Sequence, residues 1–143
     1  MASALHPGLV HEREITVTRE MMASSVGSGL VHVYATAMMI AGMEGTAVEL
    51  LQPFLPEGFT TVGTQVNVSH VSATPCGMKV RFRAELTAIA GNGKGFTFRV
   101  TAHDAGGLIG EGTHERVMVN AEAFEQRIHT KAENLLHRAP SAS

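Results

Sequence analysis

Thr36, Glu44, Gly63, His70 and Arg116 are the residues of this sequence with chemistry to offer. Glu44 interrupts the apolar run from Tyr34 to Leu51. A carboxylate in a segment patterned for burial must be paired, hydrogen-bonded, neutralised or put to use. An ion pair with Arg116 or Lys79 is its structural alternative. His70 shares a strand face with Val66 and Val68 by the period of two, so it points toward the helix that carries Glu44. An imidazole there suits a general base, and a satisfied core histidine is the plainer reading. Thr36 lies eight residues before Glu44. A continuous helix separates their Cα atoms by about 12 Å, too far for direct contact. Near a helix start, free N–H groups attract an oxyanion or a thioester carbonyl, and a capping threonine is the alternative. Gly63 lets a ligand approach a main-chain N–H, unless it marks a bulge. On the last strand Ile109, Val117 and Val119 share one face. His114 and Arg116 then fall on the other, unless a bulge near Gly112 switches the register. Arg116 there can pair with Glu44, hold a phosphate, or stay exposed.

The elements that must position these residues follow from periodicity. Residues 12–19 alternate as a strand, with Ile15 and Val17 on one face. A Ser- and Gly-rich loop covers 21–29, and a long apolar helix runs from about Val33 to Leu51, stopped by Pro53 and Pro56. Strands follow at 60–74, 77–90, 96–102 and 108–120, with turns at Gly91-Asn-Gly and Asp104-Ala-Gly-Gly. Phe124, Ile128, Ala132 and Leu135 give a C-terminal helix an apolar side. This order is an α+β layout, an antiparallel sheet wrapped around a long central helix. Such a sheet leaves an edge and an uncovered face, so a homodimer is expected at least.

At 143 residues the chain is expected to be a single domain, 1–143, with 1–11 and 138–143 as loose tails. A formal charge of -2 gives little support to nucleic-acid binding. The one cysteine, Cys76, excludes an internal disulfide and a cysteine-based metal cluster. The eight histidines are scattered, with His6 and His11 in the N-terminal arm and His129 and His137 on a solvated helix. No apolar run reaches the roughly 18 residues of a membrane span. The N-terminus lacks the pattern of a secretory signal, so a cytoplasmic protein is expected.

Thr36, Glu44, Gly63 and His70, with Ser-Ala-Thr-Pro at 72–75, Ala102-His-Asp104 and Gly112-Thr-His-Glu-Arg116, form a constellation that resembles the fluoroacetyl-CoA thioesterase family of hot-dog proteins. The likeness runs from about Val33 to Lys131. It implies a dimeric acyl-CoA thioesterase with Thr36, Glu44 and His70 catalytic and with Gly63 and Arg116 assisting at the substrate. CoA would be part of the substrate rather than a cofactor, and no metal is implied. On this resemblance Thr36 and the Gly63 N–H stabilise an oxyanion, and His70 is the base toward Thr36 or water. Glu44 orients His70, activates water or attacks the acyl carbon. One departure is visible. The fluoroacetyl-specific member has phenylalanines in a lid just before the helix, where this chain has Val26-Gly-Ser-Gly-Leu30-Val-His-Val. The aromatic gate is missing or replaced by Leu30, and a short- or medium-chain acyl-CoA is the expected substrate. A hot-dog enoyl-CoA hydratase or dehydratase, or a non-catalytic acyl-CoA binder, is the alternative.

Overall fold

The computed structural model describes residues 5–136. Five strands form one antiparallel sheet: β1 (Val10–Thr16), β2 (Phe59–His70), β3 (Lys79–Ile89), β4 (Gly95–Asp104) and β5 (Gly107–Asn120), in the spatial order β1-β3-β4-β5-β2. A one-turn helix, α1 (Ala23–Val26), interrupts the expected loop, and the long helix α2 (Thr36–Leu51) packs on one face of the sheet. A second long helix, α3 (Ala121–Leu136), follows β5 directly, its first turn capped by Asn120 Oδ1 accepting from the Ala123 N–H at 2.9 Å. This is the expected hot-dog arrangement.

Met39, Met43, Ala47, Leu50 and Leu51 of α2 meet Val80, Phe82, Ala84 and Leu86 of β3, Phe96, Phe98, Val100 and Ala102 of β4, and Ile109 of β5. The strand residues are the alternate ones that the period of two places on one face. Gly42 lets the helix settle onto this layer, since a Cβ there would lie 2.2 Å from Phe82 Cζ. The buried Thr46 hydroxyl is satisfied by donating to the Gly42 carbonyl at 2.7 Å.

In the single chain the sheet covers one side of α2 and leaves the other open. Thr36, Ala37 and Ala41 are exposed, and Ile40, Glu44 and Val48 are half-exposed. A helix apolar on nearly every side thus keeps an open apolar stripe. The N-terminal arm is shorter than expected. β1 begins at Val10, and His11 bonds Glu49 of α2 through Nε2 at 2.9 Å rather than lying loose. The strand expected to reach Thr74 ends at His70, so residues 71–74 form a loop. His137 and the expected tail 138–143 lie outside the described residues, as do residues 1–4.

Candidate active site

Thr36 is the first residue of α2, with Ala35 as its cap. The Thr36 hydroxyl does not bond the helix backbone. Its Oγ1 lies 2.8 Å from Nδ1 of His70, the last residue of β2. The first N–H groups of a helix have no upstream carbonyl, so this pair sits where the chain offers free donors and the positive end of a helix dipole. A cleft of about 350 Å³ opens onto it, walled by Ala23, Val33, Tyr34, Val71 and Ser72. Burial holds the His70 imidazole below its usual range, while the Ser72 main chain pulls weakly the other way. His70 Nε2 is buried and makes no hydrogen bond within the described residues. Tyr34 forms the floor beside the pair. Burial pushes its phenol up to about 12, and its hydroxyl donates to the Met38 carbonyl at 3.1 Å.

Glu44 stands about two turns further along α2 and does not meet His70 within the chain. Its carboxylate lies 3.5 Å from Arg116 Nη1, and its side chain is 38% exposed rather than buried. Lys79 is occupied elsewhere, against Glu14 at 3.8 Å. Arg116 itself is inside. Nε donates to Thr61 Oγ1 at 2.8 Å, Nη2 donates to the Thr61 carbonyl at 2.9 Å, and Nη1 donates to His114 Nε2 at 3.1 Å. A guanidinium has no lone pair to offer, so His114 Nε2 must be the acceptor. Its proton is then on Nδ1, which donates to the Gln65 carbonyl at 2.8 Å. His114 is neutral in this arrangement. Burial holds its imidazole below the usual range, and the Arg116 charge adds to the lowering. Its ring lies over Phe98, with centroids 6.1 Å apart.

Gly63 is what allows Glu44 into this cluster. A Cβ at Gly63 would lie 2.8 Å from Glu44 Oε2, 3.2 Å from His114 Cε1 and 3.3 Å from Arg116 Nη1. The register of β2 on β5 also shifts between Gly63 and Gln65, so close approach and bulge occur at the same place. His114 and Arg116 do face inward, but the switch is not at Gly112. The β4–β5 register slips between Ala102 and His103, leaving Ile109 as the extra residue.

The structure thus gathers the candidates into two groups, Thr36 with His70 and Glu44 with Gly63 and Arg116. Gly63 and His70 are seven residues apart on β2, roughly 23 Å at about 3.3 Å per residue. Two members of the second group went unassigned in the sequence. His114 shares the inward face of Arg116 by the period of two, and Thr61 shares that of Gly63. Leu30 does not line the cleft and is 93% exposed. Among the described residues there is no group of three His, Cys, Asp or Glu suited to hold a metal ion, and no helix is long and apolar enough to cross a membrane.

Comparison with known proteins shows the family. Residues 17–122 match the model of the fluoroacetyl-CoA-specific thioesterase family. The chain is 38% identical to the fluoroacetyl-CoA thioesterase of Streptantibioticus cattleyicolor over 99 residues, covering 69% of this chain and 70% of that protein. The solved structure of the fluoroacetyl-CoA thioesterase FlK superposes with a TM-score of 0.85 at 30% identity, over 90% of this chain and 98% of that one. A hypothetical protein of Thermus thermophilus described as a thioesterase superfamily member gives 0.82 at 32% identity, over 91% and 95%. The chain belongs to the fluoroacetyl-CoA-specific thioesterase family of hot-dog proteins, and its chemistry is the hydrolysis of acyl-CoA thioesters.

Proposed function

We propose that this protein hydrolyses a short- or medium-chain acyl-CoA to the free acid and CoA, with Thr36 and His70 as the reacting pair. The 2.8 Å contact between Thr36 Oγ1 and His70 Nδ1, at a helix N-terminus and at the mouth of a cleft, carries the proposal. With the threonine hydroxyl as donor, Nδ1 holds the lone pair that takes a proton from Thr36 or from a water in its place. The thioester carbonyl lies against the free N–H groups of α2, which stabilise the charge that develops on its oxygen. The deprotonated oxygen of Thr36 or water adds to the carbonyl carbon, the C–S bond breaks, and the thiolate leaves with the proton held by His70. Where Thr36 is the nucleophile, a water deprotonated by His70 then hydrolyses its acyl ester to the free acid. The absence of a phenylalanine, tyrosine or tryptophan from 26–33 is the ground for a broader acyl group than fluoroacetyl.

Glu44, Gly63 and Arg116 join the site in a homodimer. β2 is a twelve-residue edge strand, and Gly63–Asn67 are exposed along it. A long exposed edge is a template for pairing. The midpoint of Gly63 and His70 falls between Val66 and Asn67, and that of Thr36 and Glu44 is Ile40. A two-fold axis through these points pairs the two β2 edges antiparallel and packs the open stripes of α2 together. It carries Glu44 of the partner subunit, with its glycine and arginine neighbours, to Thr36 and His70. Both halves of the site then serve one substrate. The partner subunit's Glu44 takes up the role of orienting His70 or activating water.

Thiol release from a panel of acyl-CoA esters, with the mass of the protein in solution measured alongside, tests this reading. Release of CoA thiol by a dimer is the expected result. A change in enoyl-CoA absorbance without thiol release would assign a hydratase instead. A monomer with full activity would remove the composite site.

A further inference from the structure

Thr74 and Asp104 lie outside both groups, yet they tie together the two segments that carry Thr36 and His70. Thr74 is fully buried, and its hydroxyl donates to Asp104 Oδ2 at 2.8 Å. The other carboxylate oxygen accepts the Gly106 N–H at 2.8 Å, which fixes Asp104 in the β4–β5 turn. The Thr74 carbonyl accepts the Tyr34 N–H at 2.8 Å. Tyr34 is two residues before Thr36, and Thr74 is four residues after His70. Val71, Ser72 and Ala73 between them are exposed, as are Pro75 and Cys76, so the loop is seated through one buried residue. At its His70 end, the Val71 N–H bonds the carbonyl of the bulged Ile109 at 2.7 Å. The turn at 104–107 and the bulge at Ile109 therefore anchor the loop at both ends.

We infer that Thr74, held by Asp104, is a positioning residue that sets the separation of Thr36 and His70; this rests on the reading of those two as the reacting pair. The pair is joined by one side-chain contact across two segments. The Thr74–Tyr34 bond is the main-chain link between the helix start and the loop that follows His70. Without the Asp104 acceptor the Thr74 hydroxyl must turn to find another partner, and the carbonyl moves with the loop. A misplacement on the order of 1 Å between reacting groups costs up to about 100-fold in rate.

Thr74→Val removes the hydroxyl and keeps the shape, and Thr74→Ser keeps the hydroxyl. In thiol-release assays of the full chain, Thr74→Val is expected to lower kcat by about tenfold or more with KM changed by less than about threefold. Its acid limb of kcat should move upward as His70 loses burial, and Thr74→Ser should restore both. Asp104→Ala should behave as Thr74→Val does, and the double variant should be no worse than the poorer single one. Unchanged kcat in Thr74→Val and Asp104→Ala, or an equal loss in Thr74→Ser, would overturn the inference. If Thr74→Val does not fold, Asp104→Ala decides by the same outcomes. His70→Ala is measured in parallel. Full activity there overturns the reacting pair itself, whereas an inactive His70→Ala beside a fully active Thr74→Val overturns this positioning role alone.

Discussion

The first and third turns of α2 carry the two halves of the proposed site, and they are built by opposite means. At the first turn Thr36 is exposed, His70 is half-buried, and one 2.8 Å contact joins them above an open cleft. At the third turn Glu44 meets an arginine that is 6% exposed and that donates to Thr61 twice and to His114 once. The first half leaves a hydroxyl and an imidazole free to exchange protons. The second fixes a permanent charge where it cannot reorient. A site that needs both proton transfer and a steady field gains from this division, since groups already oriented cost no reorganisation during the reaction. Geometry also keeps the halves apart, because a helix that holds Thr36 and Glu44 on one open stripe cannot bring them together within a chain.

Substitutions can break either half separately. The largest effect is expected from His70→Ala, which should lower kcat for thiol release by about 100- to 10,000-fold, the range for loss of a general base, with little change in melting temperature. Arg116→Ala should be felt first in stability. It strips the donors from the Thr61 carbonyl and from His114 Nε2, so urea denaturation should show a loss of about 2–3 kcal/mol. If the two results were exchanged, with Arg116→Ala stable and His70→Ala unfolded, the contrast between the halves would fail.

Acid separates them more gently. The His70 and His114 imidazoles are both held below the ordinary value of 6.5, chiefly by burial. A group whose folded value is depressed contributes stability that is full above its unfolded value and is lost as pH falls through the folded one. Stability should therefore hold above pH 6.5 and decline below it. Charging His114 would also turn its Nε2 from an acceptor into a donor facing Arg116. His114→Gln should lessen the acid loss of stability while leaving the acid limb of kcat, which follows His70, in place. A limb that moves with His114→Gln would show that the halves titrate together.

Gly63→Ala is the finest probe. Its Cβ would press on the Glu44 carboxylate at 2.8 Å, a flexible group that can move away from Arg116. The cost to stability should stay within about 1 kcal/mol. Activity should fall by a larger factor than that if Glu44 works from this position. Equal activity in the alanine variant would leave the glycine as a fold requirement only.

Much of this is legible in the sequence. Period-two alternation put Phe82, Phe98 and their neighbours on one face, and the same rule aimed His70 inward, because side-chain direction along a strand is a local property. Thr36 could be placed at a helix start for the same reason. His114 and Thr61 were missed because their roles exist only through Arg116, and the inward turn of β5 depends on a bulge at Ile109 whose position no local pattern marks. Leu30 was a candidate gate by sequence position, yet it points to solvent.

The sequence by itself determined which residues carry reactive groups, which elements hold them and which family of folds results, since those follow from residue chemistry and from the periods of helix and strand. Only the tertiary structure decided who meets whom. Within the chain Glu44 pairs with Arg116 and not with His70, and is half-exposed rather than buried. Partnership across an antiparallel sheet depends on register, a register depends on where a bulge inserts, and a single-residue shift moves every later side chain to the other face.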